Sequence, residues 1–425
     1  MTIHVVQSGE TINSIADKYS VSAERLIIEN GINIPVRLAV GETLVILHPE
    51  ITYTIQQNDT LDSIADKYKV TIFDLLRNNP YLSDREYIYP GEIIVIKYEG
   101  DKIRAIATNS YAYPFIDMSV LKKTLPFLTT LTVYSYEVTA QGDINDIEDN
   151  EIIQMAKAYG VAPIMMLTAL SKSLEEEINV VHSIISSKEN QERLFNNVLR
   201  ILQTKGYSGL SINTPYLSPS DRSLYEDLVI KFTDRLSKAG YKVFITFSIR
   251  IFQLLTGIIF PGLDYTKLAQ KVDGITLISY TFGYTQGIPP GTTSMETLRR
   301  FIEYSTRLIP AEKILGGVNV IGYVWKLPYI PNVSMGMSIS YDSAIQIALE
   351  NNTEIQFDEI TNTAYFTYIA GDEYVVRFWD ARSIDNFVKV VPEFGLKGIS
   401  IWNIMTWFPQ MWLVINSQYE IDKVL

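Results

Sequence analysis

Apolar positions follow two different patterns along this chain. Up to residue 98 they form short strand-like and helix-like clusters, and the whole arrangement occurs twice. VVQSGETINSIADKYSVSAERLIIEN (5–30) aligns with TIQQNDTLDSIADKYKVTIFDLLRNN (54–79) at a constant offset of 49 residues. In each copy a short strand (His4–Val6, Tyr53–Ile55) leads into a polar turn. Thr11 or Thr60 then stands where a helix cap belongs. Behind it, Ile15 and Tyr19, or Ile64 and Tyr68, share one helix face at i, i+4 spacing. A second helix carries Leu26–Ile27 or Leu75–Leu76 and stops at Asn-Gly or Asn-Asn-Pro. A Gly-Glu turn leads to a β-rich end, Thr43–Leu47 or Ile93–Lys97. The prediction is two β-α-α-β modules, residues 1–48 and 51–98.

From residue 101 to 425 short Val/Ile/Leu-rich runs alternate with helical stretches, as in a parallel sheet buried on both faces. The expected strands are Ile103–Thr108, Leu131–Tyr134, Ala162–Leu167, Gly209–Ile212, Val243–Phe247, Gly274–Ser279, Ile314–Val320 and Gly398–Trp402. Eight strands with helices between them predict an α/β fold, a (β/α)8 TIM barrel. The stretch of about 324–380 is too long for one connection and is expected to hold a small α+β insertion. In such a barrel the functional residues belong at the C-terminal ends of the strands.

Composition narrows the chemistry. The chain has no cysteine, which removes disulfides, thiolate metal sites and thiol nucleophiles. Three scattered histidines (His4, His48, His182) suggest no metal site, and no cofactor motif is present. The net charge of -12 argues against nucleic acid as a partner. No apolar run is long enough for a transmembrane segment, and the opening MTIHVVQSGE lacks the features of a secretory signal. Twenty-seven Tyr and five Trp, with every Trp after residue 320, are compatible with a sugar-stacking groove or with bulky core filler.

The repeated V-x-x-G-[DE]-T-[LI]-x-x-I-A pattern, with its later Asn and Gly-Glu, resembles the LysM module. The resemblance implies binding of N-acetylglucosamine-containing glycans such as peptidoglycan or chitin, in a groove between the first turn and the loop after the second helix. Carried over, the site residues are Gly9, Glu10, Thr11, Asn30, Ile32 and Asn33 in the first copy. In the second they are Asn58, Asp59, Thr60, Asn79, Pro80 and Tyr81. The second copy departs from the pattern with Asn58 where the first has Gly9. The competing reading makes Thr11 and Thr60 simple caps and the asparagines simple turn formers.

The rest of the chain is similar to the LysM-containing, spore cortical-fragment lytic N-acetylglucosaminidases of glycoside hydrolase family 18. The likeness lies in NSYAYPFID (109–117), YGVAPIMML (159–167), LISYTFGYTQGIPPG (277–291), RFWDARSI (377–384) and GLKGISIWNIMTWFPQMWLV (395–414). That family carries D-G-x-[DN]-x-D-x-E at the end of the fourth strand. Its glutamate protonates the leaving oxygen, and its last aspartate holds the substrate acetamide that attacks the anomeric carbon. The matching positions here are Ser208, Ser211, Asn213 and Pro215. Proline has no ionisable group, and asparagine cannot balance a developing positive charge. The resemblance also implies a sugar cleft with Trp402 as its floor and Tyr280 on its wall, and Tyr284 and Trp325 are further candidates to line it.

Two expectations compete. In the main one, the lost acids make this a catalytically inactive, peptidoglycan-binding component of the spore envelope. It would be made in the mother-cell cytoplasm without a signal peptide, and located in the spore coat or at the spore surface beside other envelope proteins. In the alternative, the chain is an active N-acetylglucosaminidase whose acid has moved. Asp117 and Glu137 lie near the ends of strands one and two, where a replacement belongs, whereas Glu226 and Asp227 are expected to face solvent. A third possibility is a self-assembling structural protein with vestigial sugar sites.

Overall fold

The computed structural model describes residues 1–169, 173–249, 262–279, 295–330 and 333–425. Each N-terminal module is a two-stranded antiparallel sheet, Thr2–Val5 with Thr43–Ile46 and Pro49–Thr54 with Ile93–Tyr98, covered by two helices. The helices are Ile12–Tyr19 and Ala23–Asn30 in the first, and Leu61–Tyr68 and Ile72–Asn78 in the second. Thr11 and Thr60 accept the backbone N–H of Ser14 and Ser63, whose hydroxyls return the bond to the cap N–H. That reciprocal pair starts each helix with two donors satisfied. Ile15 and Ile64, one turn further on, are at most 1 % exposed and anchor each small core.

The barrel strands are Arg104–Ala112, Thr130–Glu137, Ala162–Thr168, Gly209–Asn213, Lys242–Ile249, Gly274–Ser279, Ile314–Asn319 and Gly398–Trp402. Every neighbouring pair is parallel, and the eighth strand closes on the first through Gly398–Ala107 to Ile401–Ser110. Closure needs a glycine: a Cβ on Gly398 would lie 1.8 Å from the Ala107 carbonyl oxygen. Between strands seven and eight stands a five-stranded antiparallel sheet with the helix Tyr341–Glu350. Its strand order is Met337–Ile339, Gly322–Lys326, Asp372–Phe378, Thr363–Ala370, Gln356–Asp358.

The modules are docked on the barrel. In the first, Thr43 exchanges two hydrogen bonds with the buried Gln410 of helix Pro409–Gln418. The backbone of Ile355 donates to Val40 O at 2.8 Å. In the second, the buried Arg77 donates to Pro126 O at 3.0 Å, and Asp84 pairs with Lys123 at 2.9 Å. The two modules meet where the Tyr98 hydroxyl donates to Glu29, itself paired with Arg25.

Candidate active site

Rings gather where barrel strands one, two and eight end. Strand alternation carries Asn109, Tyr111 and Tyr113 to one side of strand one, and Ser400 and Trp402 to one side of strand eight. The Trp402 ring lies 5.0 Å from Tyr111, 4.8 Å from Tyr134 and 6.2 Å from Tyr113, centre to centre. Tyr113 in turn stacks on Phe115, which is 78 % exposed. Below them Tyr111 is fully buried, with its hydroxyl 3.2 Å from that of Thr246 on strand five. Burial pushes this phenol above its ordinary pKa, so it stays neutral. Trp402 itself remains half-buried at the barrel mouth, where the sequence placed the floor of a sugar cleft. Tyr280 and Tyr284 lie outside the described residues. Trp325 lies on strand Gly322–Lys326 of the insertion. It is 2 % exposed and stacks on Tyr323 inside the insertion's own small apolar cluster.

At the end of strand four, Ser208 stands one residue before the strand and Ser211 is buried within it. Pro215 is buried. Asn213 is half-buried, and its side-chain oxygen has no hydrogen-bond partner among the described residues. A carboxylate nevertheless meets this strand end. Glu177, on helix Leu174–Ser186, is 8 % exposed and accepts the backbone N–H of Tyr216, next after Pro215, at 2.9 Å. Motif reading missed it because it comes from another element. Its trace in the sequence is the run Glu175-Glu176-Glu177 in a helix's first turn, which reads as a charge run complementing the helix dipole.

The other acids have separate duties. Asp117 caps helix Met118–Thr124 through the N–H groups of Ser119 and Val120. Glu137 is exposed at the last residue of strand two. Glu226 does not face solvent as expected: it is 8 % exposed and accepts the Asp264 N–H. Asp227 is exposed and pairs with Lys267 at 2.9 Å. Among the described residues no group of three His, Asp or Glu could hold a metal ion, and no helix is long and apolar enough to cross a membrane.

In the LysM-like modules most of the proposed sugar contacts hold the modules together. Asn30 and Asn79 are buried. Each donates to a carbonyl one helical turn back and to Val45 O or Val95 O, and accepts the N–H of that same valine. They tie helix to strand and cannot meet a sugar in this arrangement. Glu10 accepts the Gln7 N–H, which holds its carboxyl below the usual range, and also bonds His4. Asp59 does the same with Gln56 and Tyr53. Gly9 has φ +84°, and Asn58 occupies the same left-handed region at φ +70°. Asparagine tolerates that region, so the second copy keeps the turn despite its changed residue. Thr11 and Thr60 are caps. Asn33 is exposed, Ile32, Pro80 and Tyr81 are half-buried, and Gly31 packs on Pro409.

The model of the glycosyl hydrolases family 18 matches residues 168–406, and that of the LysM domain matches residues 4–47 and 53–97. The chain belongs to the glycosyl hydrolases family 18. Two LysM domains precede its barrel. It is 28 % identical over 432 residues to the cortical fragment-lytic enzyme of Bacillus subtilis, covering 100 % of this chain and 99 % of that one. It is 27 % identical over 430 residues to the protein of the same name from Bacillus anthracis, covering 99 % of each. The crystal structure of the Bacillus cereus spore cortex-lytic enzyme SleL superimposes with a TM-score of 0.81 at 26 % identity, covering 99 % of this chain and 98 % of that one.

These matches overturn the expectation of a catalytically inactive binding protein. Relatives that run the full length of the chain, LysM pair included, are named as lytic enzymes. The replacement acids expected from the sequence were Asp117 and Glu137, at the ends of strands one and two; Asp117 is a helix cap and Glu137 is exposed. Glu177 is a carboxylate delivered to the end of strand four from the neighbouring helix.

Proposed function

We propose that this chain is a glycosidase that cleaves N-acetylglucosamine-containing glycans, with fragments of spore-cortex peptidoglycan as its substrate. The observation that carries this reading is the full-length similarity to proteins named cortical fragment-lytic enzyme. The ring-lined mouth around Trp402 supports it, since aromatic faces stack on the apolar faces of a sugar.

In this reading Glu177 is the relocated acid. Its carboxyl protonates the leaving glycosidic oxygen while the substrate's acetamide oxygen attacks the anomeric carbon. Water then opens the cyclic intermediate, with the Glu177 carboxylate taking the proton. Asn213 accepts the acetamide N–H on its side-chain oxygen, which is buried and has no hydrogen-bond partner among the described residues, and so fixes the attacking group. Glu177 is favoured over Glu137 because it is buried and oriented by the Tyr216 N–H, whereas Glu137 is exposed. The LysM pair holds the glycan near the barrel and raises its local concentration. The place of action is the spore, at the cortex or the coat that surrounds it.

The test is the pair Glu177→Gln and Glu137→Gln, assayed for reducing-end release from cortex fragments. Loss of a general acid costs typically ~10²–10⁴-fold. That loss is expected in Glu177→Gln alone. The same loss in Glu137→Gln, with Glu177→Gln active, would move the acid to strand two.

A further inference from the structure

A groove of roughly 600 Å³ runs along the seam where both LysM domains meet the barrel. One wall is helix Ala23–Asn30 of the first domain. A second is the loop of the second domain that carries Pro80, Tyr81 and Arg85. The floor comes from the barrel, through Phe127 and the Trp407–Pro409 turn. It shares the loop after the second helix, with Pro80 and Tyr81, with the groove expected inside the second LysM domain, but its other walls are the first domain's helix and the barrel rather than that domain's first turn. No single domain builds it.

Its lining has the character of a sugar site. Tyr81 and Trp407 are half-buried rings on opposite partners of the seam, one from a LysM domain and one from the barrel. Around them each cation of the lining is paired, and Glu24 adds a further carboxylate. Arg25 pairs with Glu29, Arg85 with Glu92, and Lys123 with Asp84. A groove whose cations already hold carboxylates offers no net field to a polyanion. It suits a neutral, amphipathic chain that stacks on rings and exchanges hydrogen bonds with paired ions. Burial raises the Tyr81 phenol above its ordinary pKa, so this ring too is neutral.

The groove is also near the mouth. Trp407 follows Trp402 by five residues, and five residues span at most about 18 Å. A polymer lying in the groove is therefore within a few sugars of the ring cluster that ends strand eight.

We propose that this seam groove is a composite binding site for an N-acetylglucosamine-containing glycan strand, built by both LysM domains and the barrel together. The choice of ligand rests on the substrate class proposed above. The site holds the strand where the LysM domains and the barrel mouth share it, which makes long glycans better ligands than short ones.

The experiment uses the full chain and the N-acetylglucosamine hexamer, with binding followed by calorimetry and tryptophan fluorescence. Tyr81→Ala and Trp407→Ala are each expected to weaken hexamer binding roughly three- to tenfold, the range one aromatic contact is worth. Ile93→Trp fills the groove from a position that is 57 % exposed, so it does not disturb a core, and it should weaken binding similarly. Affinity should change little between low and high salt. Unchanged hexamer affinity in folded Ile93→Trp and Tyr81→Ala, or wild-type binding that collapses at high salt, overturns the proposal. Hydrolysis of cortex fragments is scored separately on the wild type. A chain that hydrolyses but ignores the groove variants refutes the groove alone. A chain that binds through the groove but does not hydrolyse refutes the glycosidase reading alone.

Discussion

Asn30 and Asn79 distinguish a structural from a sugar-binding account of the LysM domains, and the structure sets the size of the effect. Replacing Asn30 with Ala removes three hydrogen bonds at once: to Leu26 O at 3.2 Å, to Val45 O at 3.0 Å and from Val45 N at 2.7 Å. Val45 is fully buried, so water cannot take over its N–H and C=O. Each orphaned buried group costs about 1–3 kcal/mol. Two such groups give ~2–6 kcal/mol for Asn30→Ala. Asn79→Ala should cost the same through Val95, which is equally buried. For comparison, a whole domain is stable by only ~5–15 kcal/mol. Thermal and denaturant unfolding of the full chain, followed by circular dichroism, should show a clearly earlier transition in each variant. Glycan affinity of the fraction still folded should be unchanged. Unaltered unfolding together with lost affinity would refute the argument and return both asparagines to the sugar site.

Three further outcomes follow from the same geometry. Trp402→Ala removes the ring held by Tyr111, Tyr113 and Tyr134, and should lower kcat/KM on cortex fragments by about tenfold or more; an unchanged value would take Trp402 out of the sugar site. Asn213→Leu keeps the volume but deletes the acetamide acceptor, so kcat/KM should fall about tenfold, while Asn213→Asp should raise kcat by adding the charge; equal rates in all three would exclude the role. Burial pushes Glu42 up to about 7 and, across the seam between the first LysM domain and helix Tyr341–Glu350, Asp342 up to about 6. Both folded values lie above the unfolded ones, so the folded state binds more protons and stability falls as pH rises from about 4 to 7. Glu42→Gln should flatten that slope in melting curves taken across the range, and a slope of the opposite sign would contradict the assignment.

Much of the fold was legible because its signals are local and repeated. Buried parallel strands read as short Val/Ile runs, and all eight appear where such runs stand, with ends moved by a few residues. The apolar run of strand one ends near Thr108, yet the strand continues to Ala112, since Asn109 and Ser110 bond to strand eight, at the Ser400 hydroxyl and the Ile401 carbonyl, rather than in a turn. Thr11 and Thr60 were legible as caps because capping chemistry lies within four residues.

The site was less legible, for a physical reason in each case. From the sequence a replacement acid is expected at the ends of strands one and two, as Asp117 or Glu137, whereas Glu177, the acid proposed above, meets the loop after strand four from a helix more than thirty residues earlier in the chain. Nothing local distinguishes it from the two glutamates before it. Trp325 looked like a cleft residue from its place in a family-like segment, but its strand packs it onto Tyr323, and a Cβ on Gly336 would lie 2.5 Å from its indole nitrogen. Asn30 and Asn79 sit in turn-forming sequences, yet their side chains bind a strand fifteen or sixteen residues away. The seam groove depends on the docking of three domains, which no single segment encodes.

This chain is proposed to hydrolyse the glycan although the sequence resemblance sets Asn213 and Pro215 at positions where carboxylates are expected. The most direct measurement is incubation of the purified full chain with purified spore-cortex fragments, followed by mass spectrometry of the products. The account predicts new saccharides ending in a reducing N-acetylglucosamine, one water gained per cut, in amounts far above buffer and lost in Glu177→Gln. Fragments left intact by the folded wild-type chain, under conditions in which a cortical fragment-lytic enzyme degrades them, would contradict it.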